Sequence, residues 1–204
     1  MLKNVSLKFL LAATMGVMGV MLVVGGAMGL VGLKNTNNAL KNVYSVQLAS
    51  SIAIDTSIAP LLLERLALDR FVLQPNAPGA AKNIQSAAAF RAQSEAAWNA
   101  YLALPISPEE KKLSDDVAAK RKIYLRDAAN PLIAVLRAGD QAEADRIEFE
   151  KMAQLFTPLH KSADNLTEFQ MKTAAATYAA SQSMYNIFLI MAIVGVVFGL
   201  FIVT

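Results

Sequence analysis

The sequence predicts an all-α protein, an antiparallel up-down four-helix bundle whose two long helices continue into N- and C-terminal transmembrane helices. Three observations predict it. Long uncharged apolar runs stand at both ends of the 204 residues. Between them the only glycines are Gly79 and Gly139, and paired prolines at Pro75/Pro78 and Pro105/Pro108 cut the middle into four stretches, 35–74, 79–104, 108–138 and 140–186. Within those stretches apolar residues recur at helical spacing, and no useful length alternates with the period of two that a strand requires.

The first run, FLLAATMGVMGVMLVVGGAMGLVGL, places 25 uncharged residues between Lys8 and Lys34, and the second extends from Ile187 to Thr204. Each is long enough to cross a hydrocarbon core of about 30 Å. A cleaved signal peptide is the competing reading of the first, with Gly25-Gly26-Ala27 as the cleavage site, but its apolar run exceeds the usual signal core. Lys3 and Lys8 precede the first span with no acid nearby, as cytoplasmic flanks do, which puts the middle of the chain outside. The expected order is a cytoplasmic start over 1–8, a first span over 9–33, a periplasmic sensor domain over 34–186 and a second span over 187–204. Gly25/Gly29 and Gly195/Gly199 space small residues so that membrane helices can approach closely. Glycine is also simply common in spans.

Charge in the middle is balanced. Of 19 Lys+Arg, three (Lys3, Lys8, Lys34) surround the first span, leaving 16 against the chain's 16 Asp+Glu, so the net +3 belongs to that flank and gives no reason to expect nucleic acid.

Each helix has its own signals. In PISPEE, Ser107 stands at the N-cap, Pro108 at the first helical position and acids in the first turn. AGD at 138–140 offers a glycine stop followed by Asp140. The fourth stretch carries the clearest seam, with Leu155, Leu159, Ser162, Leu166, Phe169, Thr173, Ala176 and Ala180 spaced 4-3-4-3. The second carries Ile84, Ala87, Arg91, Ser94, Trp98 and Tyr101, the aromatics reading as core anchors. The third is looser, with Leu113, Val117, Tyr124, Ala128, Leu132 and Val135. Pro60, Pro131 and Pro158 fall inside predicted helices, where proline usually kinks the rod. At 1.5 Å per residue the outer helices reach roughly 60–70 Å and the inner pair roughly 40–45 Å, so the inner pair cannot reach the membrane.

Catalytic signatures are missing. There is no cysteine, no GxSxG, no glycine-rich phosphate loop and no HExxH, so no enzyme and no cofactor are expected. The single histidine, His160, has Asp164 one turn on but no further histidine to complete a metal site. Glu109-Glu110, Asp115-Asp116 and Lys120-Arg121-Lys122 read as solvated charges.

The stretch PLLLERLALDRFVLQP, 60–75, sets Arg65 and Arg70 five residues apart, about 140° around a helix, so one partner on one face cannot take both. From spacing alone, Arg65 pairing with Asp69 one turn on, while Arg70 lies along the surface, is an equal account. The whole layout resembles the sensor half of methyl-accepting chemotaxis receptors of the aspartate- and serine-type four-helix class. In those receptors the far half of the first helix carries an arginine, a second five positions later and a third four beyond. Arg65 and Arg70 fall on the first two, Gln74 replaces the third, and Asp69 stands where a small hydroxyl residue is usual. The Tyr-x-x-Gln-Pro-Thr element that opens the fourth helix there is absent, and ADRIEFEKMAQ takes its place.

The resemblance implies a transmembrane chemoreceptor sensor in the bacterial inner membrane, a homodimer paired through its first helix. It also implies a small-carboxylate site between subunits, built from Arg65, Asp69, Arg70 and Gln74 and closed by Phe149 and Met152. The missing elements direct the expectation to a di- or tricarboxylate rather than an α-amino acid. Output would pass to the cytoplasmic chemotaxis machinery through a C-terminal region beyond Thr204, since no basic flank follows the second run. The alternative is a membrane-anchored four-helix dimerisation module, or a histidine-kinase sensor, without a small ligand.

Overall fold

The computed structural model describes residues 7–203, all of whose regular structure is helical. Four helical rods follow in chain order: α1 over 7–73, α2 over 80–102, α3 over 108–138 and α4 over 141–203. They form the expected four-helix bundle, in which the first and last rods are the long ones. Three of them contain a widened π turn, at Val43–Leu48 in α1, Leu125–Ala129 in α3 and Glu148–Met152 in α4. Such turns are rare and gather at functional sites.

The chain divides into two compact units, one of residues 44–174 and one of the terminal segments up to Val43 and from Ala175. In the terminal unit both helices contain windows long and apolar enough to cross a membrane, with mean hydropathy 2.1 and 1.7. Their apolar side chains are exposed, Leu22, Val23 and Ile190 among them. Gly32 is where these helices touch, because a Cβ there would meet the Phe188 ring at 3.0 Å. The pairs Gly25/Gly29 and Gly195/Gly199 face open space instead, so the close approach they permit is not used within this chain.

The other unit is the bundle proper. Its core runs from Ile54, Leu61, Leu68 and Val72 of α1 through Ala87, Trp98 and Tyr101 of α2. It continues through Val117, Tyr124 and Leu132 of α3 to Ile147, Met152, Leu159 and Leu166 of α4. Trp98 and Tyr101 are core anchors as expected, their ring centroids 5.0 Å apart. The stops and starts also match. Ser107 Oγ accepts the Glu110 N–H at 3.1 Å, Gly139 takes a left-handed φ of 75°, and Asp140 Oδ1 accepts the Glu143 N–H at 3.1 Å. A side-chain N-cap of this kind is worth about 1 kcal/mol.

Three readings need correction. The α4 seam holds at Leu159, Ser162 and Leu166, but at its flanks Phe156 and Gln170 are buried while Leu155 and Phe169 are only half-buried, and Ala176 and Ala180 are exposed in the other unit. Glu110 is buried, because it accepts the Tyr101 hydroxyl at 3.0 Å. Arg121 is buried too, since it fills the seam position between Val117 and Tyr124 and points inward. Of the interior prolines, Pro131 stands two residues past the π turn Leu125–Ala129, in the first turn of the helix that follows, where a proline is tolerated. Helix continues through Pro60 and Pro158.

Candidate functional site

Two polar clusters lie inside the bundle. The first joins α1, α3 and α4 around Arg65. The Arg65 guanidinium sits 5.7 Å from the centroid of the Phe156 ring, and Phe156 meets Tyr124 edge-on at 5.3 Å. Arg65 forms no ion pair with Asp69 within 4 Å, so the local i,i+4 account of this arginine does not describe it. Arg65 Nε and Tyr124 Oη are buried without a hydrogen-bond partner, and Asp69 Oδ1 and Glu148 Oε2 lack one unless a proton lies between the two carboxyls. Orphaned buried groups each cost about 1–3 kcal/mol, so their concentration at one place calls for a reason.

Electrostatics supplies part of it. Burial first, then the Asp69 side chain as hydrogen-bond partner and like charge, pushes the Glu148 carboxyl up to about 8, and Arg65 only partly offsets this. At neutral pH Glu148 is therefore mostly protonated and offers an O–H donor. Burial likewise raises the Tyr124 phenol, keeping it a neutral donor. Arg65 and Tyr124 thus present a cation and a hydroxyl donor from two rods, while the Glu148 proton faces Asp69. That is a set able to receive a carboxylate.

The remaining residues expected at the site fall elsewhere. Arg70 is exposed on α1 and makes no ion pair with the described residues. Gln74, one residue past the end of α1, is exposed as well. Phe149 is 70% exposed although it adjoins Glu148, whereas Met152 is fully buried. Glu148, Tyr124 and Phe156 escaped the sequence reading. Tyr124 appeared only as a seam residue, and Glu148 is one of three acids in ADRIEFEKMAQ that alternate with residues of every other kind.

The second cluster ties α1 to the inner pair. Glu64, completely buried, is held bidentately by Arg91, with Nε to Oε2 at 2.9 Å and Nη2 on Oε1. Arg91 Nη1 also donates to Asn130 Oδ1 at 2.8 Å. Beside it, Arg121 Nη1 donates to Ser94 Oγ at 2.7 Å, and Ser94 donates to the Ser57 carbonyl of α1. Burial raises the Glu64 carboxyl and lowers the Arg121 guanidinium from their ordinary values. Glu95 acts through space on both Arg121 and Glu64, so two arginines face two glutamates in this cluster.

Among the described residues no three His, Cys, Asp or Glu side chains gather as metal ligands, and His160 Nδ1 pairs with exposed Asp164 at 3.0 Å.

The family described as Tar ligand binding domain homologue matches residues 1–174. The chain belongs to this family. Tar-type ligand-binding domains are sensor modules of chemoreceptors rather than enzymes, and the two apolar helices fit a transmembrane receptor. No curated protein matches the chain.

Proposed function

We propose that this chain is the sensor half of a bacterial inner-membrane chemoreceptor that binds a small organic di- or tricarboxylate in the periplasm. It acts as a homodimer paired through α1. The observation that carries the reading is how the two arginines divide. Arg65 turns into its own bundle toward Tyr124 and Glu148. Arg70 lies outside, on a face of α1 where Ile52, Leu62, Leu66 and Leu73 are also exposed. Those positions follow the 3–4 spacing of a helix-pairing seam, and burying such leucines against a second copy is worth about 1.5–3 kcal/mol each. Pairing there carries Arg70 of one subunit toward the Arg65 cluster of the other. A dicarboxylate then has a guanidinium at each end.

Protonated Glu148 matters to this scheme, because a second carboxylate charge beside Asp69 would further repel the ligand. Asp69 sets the far wall, exposed Phe149 and buried Met152 form an apolar side, and Gln74 lies beside Arg70 as an amide partner. Occupancy displaces α4 relative to α1, and the second span passes that displacement to a cytoplasmic chemotaxis output region. The exposed α1 seam by itself also fits a dimerisation module without a ligand. Melting of the full chain in detergent against a panel of organic acids separates the two, since a ligand of the folded state raises the melting temperature. The sensor reading expects di- or tricarboxylates to stabilise more than monocarboxylates or α-amino acids. No stabilisation by any acid would leave the dimerisation module.

A further inference from the structure

We propose that the groove between α2 and α3 is a second binding site, within one subunit, for a flat aromatic carboxylate. The groove is open to solvent and has a volume of about 410 Å³. Three cations line it, Arg121, Lys122 and Arg126, and no acid does. Trp98, Ala118 and Leu125 supply an apolar wall. The lining therefore has a cationic part and an apolar part, as an amphipathic anion does.

The surrounding groups leave this charge open. Arg121 is 5% exposed, and its Nη2 is a buried atom without a partner. Glu95 acts on Arg121 through space but makes no ion pair with it within 4 Å. Lys122 is exposed and unpaired among the described residues, whereas Arg126 is engaged by its neighbour Asp127 at 2.6 Å. Leu125 and Arg126 belong to the π turn Leu125–Ala129, which shifts the helical register just where the groove lies.

The groove is also wired to α1. Asn130 on its rim holds Arg91, which holds Glu64, and Arg121 reaches the Ser57 carbonyl through Ser94. An anion that draws Arg121 outward strains the Arg121–Ser94–Ser57 chain. Occupancy is thereby coupled to the same rod that carries Arg65 and Arg70.

Trp98 is the only tryptophan in the chain and lines this groove, so its fluorescence reports occupancy here most directly. The test titrates benzoate, benzamide and inorganic phosphate separately into the full chain in lipid nanodiscs. A saturable change with benzoate is expected, with benzamide and phosphate each weaker by about tenfold or more. The double variant Lys122→Gln/Arg126→Gln, at two exposed positions, weakens benzoate by about tenfold. Lys112→Gln, an exposed cation elsewhere on α3, leaves it unchanged. No saturable change, equal response to benzamide, equal response to phosphate, or an unaffected double variant each overturns the assignment. Because neither Arg65 nor Arg70 enters the test, failure here leaves the proposed carboxylate site standing.

Discussion

Glu148 couples stability to pH in a direction that its surroundings dictate. Its carboxyl titrates near 8 in the folded chain, against about 4.3 in an unfolded one, so between those values the folded state binds the extra proton. Stability therefore falls as pH rises through this window, and the full cost is present only above 8. Each tenfold of proton affinity corresponds to about 1.4 kcal/mol. Glu148→Gln, which cannot ionise, should flatten the fall between about pH 5 and pH 8 and raise the melting temperature most at the alkaline end. Denaturant titrations of both proteins across that range check it, and an unchanged pH slope would count against a raised Glu148 carboxyl. The Glu64–Arg91 pair behaves differently, because removing one partner strands the other. Arg91→Met should cost roughly 3–5 kcal/mol, and the double variant with Glu64→Gln should recover part of it. Equal loss in the single and double variants would show that Arg91 matters only for packing.

At the scale of the helices, the punctuation was legible in the sequence and the buried charges were not. Ser107, Gly139 and Asp140 act locally, through caps and a left-handed turn that three or four residues specify by themselves, so their roles could be read from their neighbours. Arg121 could not be read this way. A seam traced through apolar residues jumps from Val117 to Tyr124, and groups on other helices, the Ser94 hydroxyl and the charges of Glu95 and Glu64, make an arginine acceptable between them. Glu148 and Arg65 likewise gain their meaning from rods distant in sequence. The exposed face of α1 yields a direct expectation. Single cysteines at positions 52, 59, 62, 66 and 73 should crosslink between subunits, whereas those at buried Ile54, Leu61 and Leu68 should not. Crosslinking at every position alike, or at none, would argue against a specific α1 pair.

Taken whole, the molecule is a Tar-type sensor module in which two rods join the ligand-binding bundle to apolar segments able to cross a membrane. The expected topology puts the 105–108 turn outside the cell membrane and position 4 inside. A membrane-impermeant thiol reagent should label a cysteine at Ile106 in intact cells and spare one at Asn4. Labelling of position 4 alone would invert the orientation. The central claim is that a carboxylate bridges Arg65 and Arg70, and calorimetric titration of the full chain in nanodiscs tests it most directly. The ligand is the most stabilising acid from the melting panel, set against its uncharged amide. The account predicts saturable binding of the acid, loss of roughly tenfold or more in Arg65→Ala and in Arg70→Ala, and little binding of the amide. An amide that binds as tightly as the acid, with both alanine variants unchanged, would contradict it.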